Sequence, residues 1–276
     1  MTLSVRNSIL RISLVSILVA MAAAAALLFR AGEPLPTAEA LKMQLRYRWL
    51  VLGWTAPGGS VAWIVVGLFL VAAFVVIGTL VIVRYFRKTT APEMLFFVMF
   101  VLAAGFDIWK VGHVILHLET VPVYFAVLLT RVVHFAHLFG VFSLFISTLY
   151  LAGIEYQKTG TALGLAALLA MTIIYTMPVD HLTLNPNLTH KIGDETTIQS
   201  VILILQLLSV ANVVYSIAYE RHDEYIPLLP AVIAAVAGRE LLFYLPSLPA
   251  ALIGLVLLAG GVAVFASRLH QIYLWK

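Results

Sequence analysis

Eight apolar runs, each close to the length of a membrane-spanning helix, divide this 276-residue chain. About 20 apolar residues cross the ~30 Å hydrocarbon core of a bilayer, and a helix satisfies all its own backbone hydrogen bonds there. The predicted fold class is therefore all-α, a polytopic membrane helix bundle with one N-terminal anchor helix and seven transmembrane helices. The predicted spans are Ile12–Phe29, Val61–Val83, Met94–Leu118, Val123–Leu151, Thr161–Met177, Gln199–Tyr219, Ile226–Leu245 and Pro249–Ser267.

The composition agrees with an integral, multi-pass membrane protein. Hydrophobic residues make up 62% of the chain and charged residues 11%, against about 45–50% and 25% in soluble domains. The net charge of +4 comes mostly from Lys and Arg beside the apolar runs, which is typical of topology signals. We therefore expect membrane lipids and no nucleic acid as partners. The absence of cysteine excludes disulfides, thiolate metal sites and cysteine nucleophiles.

Three regions are predicted along the chain. Residues 1–30 form a transmembrane anchor or signal anchor; we expect it to be retained, because its apolar run is long for a cleaved signal peptide. Residues 31–60 form an external segment in which Thr37–Leu52 is predicted to be a basic amphipathic helix, lying at the membrane surface or packed on the bundle as a lid. Residues 61–276 form the seven-helix transmembrane domain.

The distribution of basic residues predicts which side of the membrane each connector faces. With Met1 in the cytoplasm, nine Lys or Arg residues fall on the cytoplasmic side and five on the other, which the positive-inside rule favours. Both termini are then cytoplasmic, and the membrane is predicted to be a bacterial cytoplasmic (inner) membrane. The cytoplasmic set is Arg6, Arg11, Arg84, Arg87, Lys88, Lys158, Arg221, Arg268 and Lys276.

Ionisable residues at membrane depth form two helical stripes. Asp107, Lys110 and His113 follow a spacing of three on one predicted helix, and Arg131, His134 and His137 repeat it on the next, so each set shares a helix face. Counted from the short connector at ~1.5 Å per residue, Asp107 lies ~16 Å deep, Arg131 ~13 Å and His134 ~18 Å. These depths make Arg131 and His134 candidate partners of Asp107 across the helix pair, while Lys110, at ~12 Å, lies near Asp107 on its own helix.

A third helix adds Arg239 and Glu240 at a similar depth. Charged groups inside a membrane are costly and are normally paired or functional. With histidines neutral, a charge of +1 results from Asp107, Lys110, Arg131, Arg239 and Glu240 together. We therefore expect an outward-opening site for an anionic or carboxylate-bearing ligand. The alternative is that the charges only fix helix register. The candidate ligand-binding residues are Asp107, Lys110, His113, Arg131, His134, His137, Arg239 and Glu240.

No cofactor is predicted outright. His113 and His117 have the i,i+4 spacing of a helical metal-ligand pair, so a small metal site formed by His113, His117 and Glu119 is one hypothesis, with His181 or His190 as an added ligand. A b-type haem needs two imidazoles at matching depth on different helices, which the sequence does not clearly supply.

The layout of an anchor helix, a small external segment and seven spans resembles the seven-helix sensor modules of bacterial signalling proteins, in topology alone. The segment after the last span is short, so we expect any signal to pass to a separate membrane or cytoplasmic protein. The leading hypothesis is a non-enzymatic receptor, sensor or accessory subunit that binds a small ligand or ion. A transporter of protons or small anions, and an enzyme acting on lipid or quinone, are the alternatives.

Overall fold

The fold comes from a computed structural model of the chain. It describes residues 3–32, 34–37, 39–43, 46–49, 52–55, 61–86, 91–119, 122–154, 158–219, 223–244 and 247–275. Of the residues used to predict orientation, Arg87, Lys88, Arg221 and Lys276 lie outside this part of the chain.

The predicted all-α membrane bundle is confirmed. Seven helical segments in the described residues are long and apolar enough to cross a bilayer, and α8 adds a shorter apolar helix of 17 residues. The helices are α1 (Leu3–Ala31), α2 (Val61–Tyr85), α3 (Pro92–Gly105), α4 (Val111–Leu118), α5 (Val123–Leu151), α6 (Thr159–Thr176), α7 (Glu195–Tyr219), α8 (Leu228–Tyr244) and α9 (Leu248–Trp275).

The rod formed by α3, a 3₁₀ segment (Phe106–Lys110) and α4 is the most buried of the candidate spans. It packs against α1, α2 and α5. Its buried aromatic residues include Phe97, which stacks on Phe265 of α9 with ring centroids 3.8 Å apart. The rod is thus the core around which the other helices are arranged.

The 3₁₀ segment corrects the predicted span Met94–Leu118, which was expected to be α-helical throughout. The helix tightens directly after Gly105, where a Cβ would lie 2.6 Å from Cδ1 of Ile17 on α1. In a 3₁₀ helix the side chains at i and i+3 lie on the same side. Asp107 and Lys110 therefore project together into the bundle.

Helices α8 and α9 pack with their backbones in close contact. A Cβ on Gly238 would lie 2.5 Å from the backbone nitrogen of Leu258, and one on Gly261 would lie 2.5 Å from the carbonyl oxygen of Ala231. Small residues at such a face let membrane helices approach closely. This contact fixes α8 beside α9.

Within the described residues, two short hairpins lie outside the helices. Arg46–Trp49 (β1) pairs antiparallel with Leu52–Thr55 (β2), so the amphipathic helix predicted over Thr37–Leu52 is wrong in the part that the structure describes. The stretch is rich in Tyr, Trp and Thr, which favour strands, and the alternation of basic and apolar residues was misread as a helical pattern.

The second hairpin covers one end of the bundle. Val179–Leu184 (β3) pairs antiparallel with His190–Ile192 (β4), and the connecting loop contains Asn185, Asn187 and Thr189, all buried. We call this end of the bundle the hairpin end. The boundaries predicted for the three regions of the chain stay predictions.

We predict that Gly238→Ala lowers the free energy of unfolding by about 1–3 kcal/mol, because the added methyl group overpacks a backbone contact that cannot relax. Thermal unfolding of the purified protein in detergent measures the loss. Gly260→Ala on α9 is the matched control, since no atom lies within 4 Å of its Cβ position. Equal stability of the two variants would contradict close α8–α9 packing.

Candidate functional site

The centre of the site is an ion pair between Asp107 of the 3₁₀ segment and Arg239 of α8. The guanidinium donates to both carboxylate oxygens: Nη1 to Oδ2, and Nη2 to Oδ1 at 3.1 Å. Both side chains are 1% exposed. A two-point contact of this kind is directional and strong. The prediction that Asp107 pairs with Arg131 or His134 is therefore wrong.

Lys110 lies on the other side of Asp107. Its Nζ atom donates to the backbone carbonyl of Phe243 at 3.1 Å and lies 3.8 Å from Oδ2 of Asp107. The same atom lies 3.9 Å from the centroid of the Phe243 ring. This carbonyl belongs to the last turn of α8, where helical carbonyls lack partners within the helix, so Lys110 also caps α8.

Glu240 forms a second limb of the network. Its Oε1 atom accepts a hydrogen bond from Nε2 of Gln206 on α7 at 2.6 Å and lies 3.4 Å from Nε2 of His137 on α5. The His137 ring stacks on Phe243 with centroids 3.9 Å apart. Both Arg239 and Glu240 therefore face the network, although adjacent residues on a helix point in different directions.

We call Asp107, Lys110, His137, Gln206, Arg239 and Glu240 the polar network. All six side chains are buried, and they come from the central rod, α5, α7 and α8. The formal charges of its two carboxylates, its lysine and its arginine sum to zero with His137 neutral. The predicted sum of +1 was wrong because it included Arg131.

Arg131 lies apart from the polar network. Its guanidinium carbon lies 4.6 Å from the ring centroid of Tyr175 on α6, and its side chain is partly exposed. Arg131 therefore faces α6, and we do not include it in the site.

His113 and His134 lie near the network in a layer centred on Thr130. The Thr130 hydroxyl lies 3.3 Å from Nε2 of His113 and accepts from the His190 backbone N–H at 3.3 Å. His134 donates from Nδ1 to the Thr130 carbonyl at 2.9 Å. This layer joins the β3–β4 hairpin to α4 and α5.

His190 is the member of this layer outside the spanning helices. Burial lowers its pKa below the usual 6.5, and its Nδ1 donates to the Thr183 carbonyl at 2.9 Å. Its ring meets the edge of the His113 ring at a centroid distance of 4.9 Å. The hairpin thus rests on the edge-to-face contact between the His190 and His113 rings.

The predicted metal ligands are not brought together. His113 is buried, whereas His117 and Glu119 are exposed near the end of α4. Among the residues that the structure describes, no three His, Asp or Glu side chains are grouped so that they could hold a metal ion. The metal hypothesis therefore gains no geometric support.

Gln206 is the network member that sequence reasoning missed as a site residue. Neutral amides in membrane helices commonly form interhelical hydrogen bonds, and Gln206 does so with Glu240. Only the partner reveals its place in the network. The available signal was a lone amide in an apolar run at membrane depth.

Two cavities bear on function. The larger, about 440 Å³, is an apolar groove between α2 and α9 at the end opposite the hairpin, lined by residues such as Phe74, Gly78 and Ala266. The smaller, about 20 Å³, is lined by Lys110 and so adjoins the polar network. A guest in the smaller cavity would therefore lie beside the buried charges of the polar network.

Comparison of the chain with models of known protein families and with curated proteins gave no match. The functional interpretation is therefore based on the geometry of the polar network.

We predict that Asp107→Asn lowers the free energy of unfolding by about 3–5 kcal/mol, because it leaves the guanidinium buried without a counter-charge. Arg131→Met is the matched control; it removes an aromatic contact of about 0.5–1 kcal/mol. The exchange Asp107→Arg with Arg239→Asp should recover part of the loss. A loss in Asp107→Asn no larger than in the control would contradict the pairing.

We also predict that acid loosens the β3–β4 hairpin. Because burial lowers the pKa of His190, the unfolded hairpin binds a proton more readily than the folded one. The stabilisation is thus complete above about pH 6.5, the ordinary histidine value, and is lost as the pH falls toward the folded-state pKa.

Amide hydrogen exchange in the β3–β4 hairpin measures this pH dependence. His190→Asn should flatten the dependence, whereas His117→Asn, at an exposed position near the end of α4, should leave it in place. A wild-type exchange rate that, once corrected for intrinsic chemistry, does not change between pH 7.5 and 5 would contradict the prediction.

Proposed function

We propose that this protein is a non-enzymatic seven-helix membrane sensor, or a sensing accessory subunit, with a small-ligand or ion site in the outer half of the bundle. The outer half corresponds to the hairpin end under the predicted orientation. The observation that carries the proposal is the polar network, in which four spanning segments are joined through buried charges.

A network of this kind suits a conformational switch because breaking one buried pair costs a free energy of the same order as the free energy that switching requires. Breaking one buried pair costs about 3–5 kcal/mol. Moving a two-state equilibrium from 1:99 to 99:1 needs about 5.5 kcal/mol of differential binding. One added or removed charge beside Asp107 or Glu240 would therefore supply most of the free energy that such a switch needs.

The size of the nearby cavity supports a proton or small ion as the input. Pockets for organic ligands have volumes of about 300–1,000 Å³, whereas the cavity at Lys110 has about 20 Å³. A proton needs no cavity, and His137 lies 3.4 Å from Glu240. Protonation of His137 would convert that contact into an ion pair, which would compete with the Gln206 hydrogen bond for the Glu240 carboxylate.

We also propose a bacterial cytoplasmic membrane as the location, with both termini in the cytoplasm. Arg84 and Arg268 support this orientation because both are exposed at the end opposite the hairpin, where basic residues favour the cytoplasm. Helix α9 continues to Trp275, eight residues beyond its predicted end at Ser267. This extension is a candidate contact surface for a membrane or cytoplasmic partner.

The absence of cysteine allows a direct test. Tyr85→Cys on α2 and Tyr219→Cys on α7 place two spin labels at exposed positions on the end opposite the hairpin. In nanodiscs, we predict that the label–label distance distribution changes between pH 7.5 and 5.5 or with the salt anion, because release of Gln206 from Glu240 frees α7. Glu240→Gln should abolish the change, and Arg131→Met should retain it.

A distance distribution that stays the same across pH and salt would overturn the sensor proposal. Flux of protons or anions in proteoliposomes, lost in Glu240→Gln and retained in Arg131→Met, would instead favour a transporter.

A further inference from the structure

The small cavity at the hairpin end is lined by apolar residues of α2, α8 and α9 and by three polar side chains: Lys110, Asn187 and Ser247. They come from the 3₁₀ segment, the β3–β4 loop and the residue before α9. No carboxylate is among its described lining residues. The kind of guest that the cavity can bind therefore depends on the hydrogen-bonding groups of these three side chains.

Asn187 presents its amide NH₂ group. Its Oδ1 atom accepts two hydrogen bonds from Thr189, from the hydroxyl at 2.7 Å and from the backbone N–H at 3.2 Å. These two donors fix which end of the amide is the oxygen. The side chain is 2% exposed, and its Nδ2 atom is buried with no hydrogen-bond partner in the described structure. An unpaired buried donor is costly and indicates a missing acceptor.

Ser247 presents a hydroxyl donor at the start of α9. Its Oγ atom accepts from the backbone N–H of Ala250 at 3.3 Å, so its hydroxyl hydrogen is available to donate. The N-terminus of the 28-residue α9 adds partial positive charge at this position.

Lys110 presents a full positive charge. Its ammonium group has three N–H donors, of which one is directed to the Phe243 carbonyl at 3.1 Å. The Asp107 carboxylate is 3.8 Å away, longer than a normal hydrogen bond. Lys110 therefore retains capacity to donate into the cavity.

Three donors around one cavity without a carboxylate match an acceptor that carries negative charge. A volume of about 20 Å³ holds roughly one water-sized guest, which excludes carboxylate-bearing organic molecules. We infer that this cavity binds a single monatomic anion, of the halide class, between Lys110, Asn187 and Ser247. The inference rests on the proposed function and names the class of ligand at its site.

Chloride is the probe for the test. Full-length protein in nanodiscs is titrated with sodium chloride against sodium gluconate at constant ionic strength, following the ³⁵Cl line width and the unfolding temperature. We expect saturable line broadening and a saturable rise in unfolding temperature with chloride. Gluconate should give neither effect, because this organic anion is too large for the cavity. Bromide should compete with chloride.

Variants assign the effect to the cavity. Asn187→Asp keeps the size of the side chain and its contacts to Thr189 but replaces the donor with a carboxylate, so chloride affinity should fall about tenfold or more. Lys110→Met should abolish binding; Asn187→Asp and Ser247→Ala keep the test decisive if that variant does not fold. Arg131→Met removes a cation away from the cavity and should leave chloride affinity unchanged.

Two outcomes would overturn the inference: no saturable chloride effect, which means that the cavity holds water only, or an effect that survives in Asn187→Asp, which places the anion elsewhere. Failure of the sensor proposal has a separate readout. If chloride binds at this cavity while the label distances on α2 and α7 stay fixed, the anion site stands and the sensor proposal falls.

Discussion

The ion pair between Asp107 and Arg239 is the interaction on which the rest of the bundle depends. A single charge at membrane depth costs about 2.5–3.5 kcal/mol on insertion scales, so each of these groups needs the other. Their contact requires α8 to lie against the 3₁₀ segment of the central rod. Close α8–α9 packing through Gly238, the residue next to Arg239, helps to hold α8 in this position. The small residues and the charges of α8 thus both hold this helix in the same position in the bundle.

The 3₁₀ segment is what turns a pair into a network. A tighter helix places Asp107 and Lys110 on the same side of the rod, so one carboxylate faces two cations. The ammonium then reaches the last turn of α8 and satisfies the Phe243 carbonyl. The Phe243 ring contacts both Lys110 and His137, and thereby links the two limbs by packing. A mid-span change of helix type is common at functional hinges, which agrees with a bundle that can adopt a second arrangement.

The sequence predicted the order and approximate bounds of the apolar spans because membrane-length apolar runs leave few alternatives. It also identified Asp107, Lys110, His137, Arg239 and Glu240 as buried ionisable groups. It could not predict partners, because depth along a helix is readable from residue counts but lateral position around the bundle is not. Arg131 and Arg239 have similar predicted depths, yet one faces Tyr175 and the other Asp107. Which of the two arginines pairs with Asp107 depends on packing between helices that are far apart in the sequence.

The hairpin loop shows the same limit on a smaller scale. Asn185, Asn187 and Thr189 lie in a connector that reads as an ordinary polar loop, and all three are buried. Nothing in their spacing indicates that Asn187 lines the same cavity as Lys110. The donor set therefore exists only in the folded chain, where the loop covers the hairpin end.

Charge balance connects the anion cavity to the polar network. With His137 neutral, the two carboxylates and two cations of the network sum to zero, so a bound anion leaves one uncompensated negative charge. Glu240, Arg239, Asp107 and His134 are the titratable or charged groups around His137, and Gln206 donates to the same Glu240 carboxylate. The imidazoles of His134 and His137 are the groups that gain positive charge on binding a proton. Binding free energies are reciprocal, so an anion that favours a proton on His137 is itself held more tightly when that proton is present. Anion and proton would then act on the bundle as one coupled input.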